Sequence, residues 1–210
     1  ENFKNYFNNY DFHNLYKELL NFCTVDLSAF YFDIRKDSLY CDSKDSKKRQ
    51  STIILLNVIL KSLLRWFAPI LSFTTEEIYR LIMNDNKSIH LTKFLEFPKS
   101  FKNENLNQKW LELIKIRNVC NISIEEKRAS KEIGSSLEAS LKINLDKKLN
   151  DISKDVDFSE LCITSSAEVF YLEKSEIKVQ TTKAEGSKCQ VCWKVTKNAC
   201  SRKTCPKHSE

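Results

Sequence analysis

The scarcity of glycine and proline is the feature that most restricts the fold of this chain. Only two glycines and three prolines occur among its 210 residues. These residues mark turns and interrupt helices, so their scarcity argues against a β protein with many turns. A hydrophobic content of 41% is enough for a real core. We therefore expect long helices over the first two thirds of the chain, in a main domain followed by smaller ones.

Apolar residues recur at helical spacing in this region. From Asp11 to Ser28 the repeating positions are Leu15, Leu19, Phe22 and Val25, which predicts a helix that faces the core. Three further helices are predicted over residues 53–67, from residue 74 to about 84, and from about 106 to 131. The helix at 53–67 is apolar around much of its circumference, as is typical of the central helix of a bundle.

The start of the third helix carries a local signal. Residues 73–78 read Phe-Thr-Thr-Glu-Glu-Ile, which resembles a capping box. In that motif Thr74 and Glu77 exchange bonds with exposed backbone N–H groups, and Phe73 packs on Ile78. We therefore expect the helix to begin at Thr74.

The pattern changes after Gly134, where the fourth helix is expected to stop. Leu141, Ile143 and Leu145 alternate as in a strand, and so do residues 168–172 and 177–181. The predicted organisation is a helical bundle with its long following helix over 1–135, a small α/β subdomain over 136–184, and a tail over 185–210.

The tail contains two pairs of metal-ligating residues, each with two residues between its members. Cys189 and Cys192 form the first pair, and Cys205 and His208 form the second. Tight turns at this spacing bring four ligands into a tetrahedron around one Zn²⁺ ion. Four protein ligands leave no position open for an activated water, so the site is predicted to be structural. Cys200 is an alternative third or fourth ligand, and two disulfides in a secreted protein are the alternative to a metal.

Composition favours a reduced, cytoplasmic environment for this protein. The other four cysteines are dispersed singly, and neither a signal peptide nor a membrane-spanning apolar run is present. The net charge is +6, and the segment from Ser187 onward contains six Lys or Arg residues and a single acid, Glu210. A basic tail favours a polyanion as partner.

The sequence contains none of three common catalytic motifs: a glycine-rich phosphate loop, a nucleophile elbow and an HExxH helix. Trp193 is a candidate for binding unpaired bases because it lies between Lys188 and Lys194 and follows Cys192. Two roles stay open for its ring, which could stack on a base or cover the zinc site.

Four segments carry a resemblance to a known family. They are DLSAFYFDIRKDSLYCD (Asp26–Asp42), LLRWFAPILSFTTEEIY (Leu63–Tyr79), IGSSLEASLKI (Ile133–Ile143) and AEGSKCQVCWKV, which precedes the second ligand pair. In this order they resemble the anticodon-binding helical domain and C-terminal zinc module of bacterial isoleucyl-tRNA synthetases. Valyl and leucyl relatives share the bundle, but the CxxCW module points to the isoleucyl branch. His208 stands where that family usually has its fourth cysteine.

The resemblance implies a fragment that docks tRNA. The parent enzyme would join isoleucine to tRNA-Ile with ATP and Mg²⁺, both bound by a catalytic domain whose motifs this chain lacks, so the fragment alone is expected to be inactive. Its partners would be tRNA-Ile and the remainder of a monomeric parent. Phosphate contacts are predicted for Arg35, Lys36, Arg117, Lys194 and Arg202, and base stacking for Trp193.

Two other functions are alternatives. One is a helical scaffold without catalytic activity, in which the zinc module makes only protein contacts. The other is a zinc finger for duplex DNA, which the ligand spacing disfavours because such fingers place two histidines several residues apart on a recognition helix.

Overall fold

The computed structural model describes residues 2–83, 87–173 and 176–197. The chain forms two compact units, Glu1–Lys99 and Ser100–Glu210. Most of the described residues are helical and a small sheet lies in the second unit, so the predicted mainly helical fold is confirmed. Within the described ranges, no helix is long and apolar enough to cross a membrane.

The described residues of the first unit are mainly helical. Its helices are α1 (Asn2–Asn8), α2 (Phe12–Asn21), α3 (Asp33–Cys41), α4 (Lys47–Phe67) and α5 (Ser72–Met83). A π-helix, Phe22–Phe32, joins α2 to α3, and short 3₁₀ turns occupy Ile89–Leu91 and Lys99–Phe101.

The π-helix changes which side chains face the core. Asp11 caps α2 by accepting a hydrogen bond from the Asn14 N–H, and Leu15 and Leu19 are buried as predicted. Val25 was expected on the same face but is 53% exposed, whereas Leu27 is buried. The reason is that a π-helix closes its hydrogen bonds at i+5, so the phase of an ordinary α-helix is lost beyond Phe22.

Helices α4 and α5 pack around a small apolar cluster of Leu64, Ala68, Tyr79 and Ile89, with Leu60 against it. The predicted capping box is wrong. Helix α5 begins at Ser72, so Thr74 lies within it, and the Phe73 side chain is 92% exposed and cannot act as a staple.

The second unit combines one long helix with a sheet. Its elements are α6 (Glu104–Ala129), a 3₁₀ turn (Ser136–Glu138), β1 (Ala139–Leu145), α7 (Lys147–Ser153), α8 (Phe158–Leu161), β2 (Ser166–Tyr171), β3 (Lys178–Lys183), β4 (Ser187–Lys188) and β5 (Val195–Thr196). The sheet has the order β2-β1-β3, with β1 parallel to β2 and antiparallel to β3.

Strand β1 forms the centre of this unit because its alternate residues Leu141, Ile143 and Leu145 are fully buried. The three strands predicted from alternation are confirmed to within two residues at each end. Helix α6 packs on the sheet, and the Ser123 and Thr181 hydroxyls share a hydrogen bond of 2.7 Å. Helix α6 belongs to the second compact unit. The domain bounds 1–135, 136–184 and 185–210 stay a prediction.

Candidate metal knuckle and nucleic-acid interface

The first predicted ligand pair lies in the loop of a short β-hairpin. Strands β4 and β5 pair antiparallel, with Ser187 opposite Thr196 and Lys188 opposite Val195. Gly186 precedes the hairpin with a φ of +126°, and a Cβ there would lie 1.9 Å from the Thr196 carbonyl oxygen. Only glycine fits at this position, so one of the two glycines in the chain serves to close the hairpin.

The loop of six residues from Cys189 to Lys194 is a tight turn held by its own backbone. The Cys189 N–H donates to the Lys194 carbonyl at 2.8 Å, and the Trp193 N–H donates to the Cys189 carbonyl at 3.1 Å. The Val191 N–H points at the Cys189 sulfur, with a nitrogen-to-sulfur distance of 3.4 Å. A donor aimed at sulfur stabilises a thiolate, the form in which cysteine binds zinc.

The donor set of this turn fits a zinc knuckle, but only half of the predicted set can be placed. Cys189 is buried and Cys192 is half-buried. Cys205, His208 and the alternative ligand Cys200 lie outside the described residues. Over residues 2–83, 87–173 and 176–197, no group of three or more His, Cys, Asp or Glu side chains could hold a metal ion. The four-ligand zinc site therefore stays a prediction.

The hairpin is tied to the α/β part of its own unit through Ser165. The Ser165 hydroxyl accepts a hydrogen bond from the Val195 N–H at 2.6 Å and donates one to the Leu137 carbonyl. The Ser165 N–H in turn donates to the Ala139 carbonyl at the start of β1. One residue thus connects the knuckle hairpin, through its side chain, to the 3₁₀ turn before β1 and, through its backbone, to the start of β1.

Lys194 brings positive charge to the same junction. Burial works against ionisation of Asp157, but bonds from Ser159 and Glu160 and the nearby Lys194 charge together hold the pKa of Asp157 below its ordinary value. Asp157 also caps α8 by accepting from the Ser159 and Glu160 N–H groups. Lys194 therefore contributes to the electrostatics of the fold, and it is half-buried beside the exposed Trp193.

Trp193 is presented to solvent in an unusual backbone conformation. Its φ is +62°, and its side chain is 60% exposed. A bulky residue in the left-handed region is rare and costs of order 1–3 kcal/mol, so surrounding contacts must hold it there. The Lys188 ammonium lies 5.7 Å from the centre of the indole ring. The exposure of the ring favours a binding role over that of a cover for the metal site.

Arg35 and Lys36 lie on α3 in the first unit. The Arg35 guanidinium lies 5.8 Å from the centre of the Tyr31 ring, and the side chain is half-buried. The exposed Lys36 ammonium pairs with the Asp33 carboxylate at 2.8 Å, and that hydrogen bond raises the pKa of Lys36. Tyr40, on the same helix, is 82% exposed. This helix thus presents an exposed ring and an exposed lysine that is already paired with an acid.

Arg117 has a contact within the protein that the sequence did not reveal. Its Nε donates to the Leu161 carbonyl at 3.0 Å, which links α6 to the end of α8. Its predicted phosphate contact is untested, and Arg202 lies outside the described residues. Among the predicted RNA contacts that lie in the described residues, Trp193 and Lys194 are neighbours in the knuckle, with Lys188 near the Trp193 ring, and Arg35 and Lys36 are neighbours on α3.

Sequence reasoning missed Ser165 as a residue that positions the knuckle. Its main partner, Val195, lies 30 positions further along the chain, so no local motif marks the pair. It also missed the basic residues Arg65, His90 and Lys93, which line a cavity in the first unit.

Comparison with known proteins places the chain in a family. Residues 1–143 match the family described as the anticodon-binding domain of tRNA ligase, and the chain belongs to that family. The resemblance seen in the sequence is thereby confirmed.

The chain is also similar to particular isoleucine–tRNA ligases. Its identity to the isoleucine–tRNA ligase of Pelagibacter ubique strain HTCC1062 is 69% over 201 residues. The aligned region covers 96% of this chain and 22% of the relative. Identity to the Agrobacterium fabrum protein is 39% over 198 residues, covering 89% of this chain and 20% of the relative. Identity to the Bartonella henselae protein is 36% over 211 residues, covering 95% of this chain and 22% of the relative. The chain spans about one fifth of the length of these relatives.

Proposed function

We propose that this chain is the tRNA-binding, anticodon-recognising part of an isoleucine–tRNA ligase. The observation that carries the proposal is the 69% identity to the Pelagibacter ubique isoleucine–tRNA ligase across 96% of the chain. The match of residues 1–143 to the anticodon-binding family supports it independently.

The mechanism is positional. Basic side chains on the helices and the knuckle contact phosphates of the anticodon arm, and these contacts fix the register of the tRNA. A tRNA held at its anticodon keeps its distant acceptor end near the catalytic domain of the parent, which lowers the entropic cost of the reaction there. The parent chain would supply ATP and Mg²⁺ binding and the ligase chemistry, and this part alone would not aminoacylate. We expect a monomeric, cytoplasmic parent.

The knuckle contributes through its exposed ring. Trp193 offers a face for stacking on an unpaired base, and Lys188 and Lys194 lie beside it to contact phosphates. The residues Cys189, Cys192, Cys205 and His208 would hold one Zn²⁺ ion. Bound zinc would cross-link the tail, and its role is to hold the fold around Trp193.

Fluorescence anisotropy with the isoleucine anticodon stem-loop tests the proposal. The control is the same stem with an altered anticodon, at one fixed salt concentration because phosphate binding depends strongly on salt. Preferential binding to the cognate loop is the expected result. If neither stem-loop binds, a helical scaffold whose zinc module makes only protein contacts becomes the better account, and tRNA recognition by this chain is refuted.

Two variants test the knuckle. Trp193→Ala should weaken stem-loop binding by roughly 1–3 kcal/mol, the usual worth of one base-to-ring stack, and Trp193→Phe should retain most of the affinity. Cys192→Ala should release zinc and unfold the tail, while the helical circular dichroism of the chain persists. Full zinc content in purified Cys192→Ala protein would contradict the ligand assignment.

A further inference from the structure

The first unit contains a basic cavity that the knuckle does not involve. The cavity has a volume of about 420 Å³ and is bounded by the end of α1, the end of α4 and the segment from Ile89 to Phe94. This volume lies in the range of roughly 300–1,000 Å³ that is typical of small-ligand sites.

The charge of the cavity wall is of one sign. Arg65, His90 and Lys93 line it, and no carboxylate is among the lining residues. Other cations of the described residues are paired with acids, as Lys36 is with Asp33 and Arg80 with Glu76. A wall that carries basic groups without acids favours an anionic ligand such as a phosphate.

Aromatic rings form the other wall and continue beyond it. The Phe7 and Phe94 rings pack edge to face with their centres 4.7 Å apart, and the centre of the Phe12 ring lies 6.0 Å from that of Phe7. Tyr10 lies 6.2 Å from Phe12, is 80% exposed and has a φ of +54°. A row of rings therefore leads from the cavity to a solvent-exposed tyrosine.

Hydrogen bonds hold the residues of the cavity walls in place. Arg65 donates from Nε to the Lys93 carbonyl at 2.8 Å and from Nη1 to the Lys61 carbonyl at 2.7 Å. The Glu76 carboxylate accepts from the Ile89 N–H at 2.8 Å and from the Ser88 hydroxyl at 2.9 Å. Because both ends of the segment are held, the cavity is formed before any ligand arrives.

We propose that this cavity binds one unstacked nucleotide of a single-stranded RNA loop. The base would lie against Phe94, and the phosphate would contact Lys93 and His90. Rings beside cations are the pair of features by which proteins hold unpaired nucleotides. The proposal rests on the proposed tRNA-binding function and adds a second place of contact, in a different unit from the knuckle.

A double variant, His90→Ala with Lys93→Ala, tests the cavity. Anisotropy with the isoleucine anticodon stem-loop should show binding weaker on the order of tenfold, and the slope of log affinity against log salt should fall by about 1. Lys44→Ala is the matched control, because Lys44 is an exposed cation of the same unit that does not line the cavity. Thermal unfolding of each variant checks that the fold is kept.

Photo-cross-linking of the unaltered chain gives a second, independent result. Stem-loops that carry 4-thiouridine at single loop positions should cross-link to the peptide that contains Ile89–Phe94, as mapped by mass spectrometry. Cross-links confined to the knuckle, or double-variant binding equal to that of the Lys44→Ala protein, would overturn the cavity proposal and leave tRNA binding intact. Failure of the unaltered chain to bind would instead refute the proposed function and the cavity together.

Discussion

Replacing Ser165 with alanine should loosen the knuckle without unfolding the rest of the chain. The Ser165 hydroxyl makes two hydrogen bonds, one from the Val195 N–H at 2.6 Å and one to the Leu137 carbonyl. A neutral hydrogen bond contributes about 0.5–1.5 kcal/mol net, so the loss of both should cost about 2 kcal/mol. Since 1.4 kcal/mol corresponds to a factor of ten in an equilibrium constant, the equilibrium constant for local opening of the hairpin should rise roughly 30-fold.

Amide hydrogen exchange of the peptide that covers the hairpin measures this opening directly. Exchange at the Cys189 and Val195 N–H groups should accelerate, because the first closes the knuckle turn and the second donates to Ser165. Exchange in β1 should change little. The experiment is done with zinc present, so that a change reports docking of the hairpin and not loss of metal.

The neighbouring Ser166 provides the matched control. Its exposed hydroxyl donates to the Ser140 hydroxyl across the sheet, at 2.7 Å. Ser166→Ala should therefore alter stability by less than about 0.5 kcal/mol. An acceleration of less than threefold in Ser165→Ala, or equal effects of the two variants, would refute the assignment of Ser165 as the link between hairpin and sheet.

Three further predictions concern the supporting structure. Leu141→Ala should cost about 2–5 kcal/mol in urea unfolding because Leu141 is fully buried in the central strand, whereas Lys142→Ala on the exposed face should be nearly neutral. Bonds from the Ile89 N–H, Ser88 and Arg80 hold the pKa of Glu76 below its ordinary value, against burial. That stabilisation is present above the unfolded-state pKa of about 4.3 and is lost as pH falls through the folded pKa, so the difference in Tm between wild type and Glu76→Gln should shrink in acid. Hydrogen bonding to Cys162 and burial raise the pKa of the Cys120 thiol, so iodoacetamide should label the half-buried Cys41 well before Cys120; equal rates would contradict the buried pair.

Patterns in the sequence predicted the second unit better than the first. Leu141, Ile143 and Leu145 alternate strictly, and a strand buried on one face is the simplest structure that alternation allows. The helix over 106–131 was also located correctly, since α6 spans Glu104–Ala129. What spacing could not reveal is that α6 packs on the sheet, because Ser123 and Thr181 are 58 residues apart.

The two failures in the first unit have different physical causes. The capping box predicted a role for Glu77, but Glu76 bonds instead to Ile89, 13 residues away. Val25 was placed in the core by α-helical spacing, and the π-helix turned it outward. In both cases the sequence motif was present, and a tertiary bond or a change of helix type decided the outcome.

The two regions proposed to contact RNA use the same chemistry but are held in place by different means. The knuckle depends on the bonds of its own turn, on Ser165 and on the predicted zinc ligands. The cavity depends on Arg65 and Glu76, which are side chains of the first unit, and on no metal ligand. Removal of zinc should therefore abolish the contribution of Trp193 and leave that of Lys93. For a chain that binds RNA through both regions, chelation weakens binding to the level of the cavity alone, and the remaining affinity keeps its dependence on Lys93.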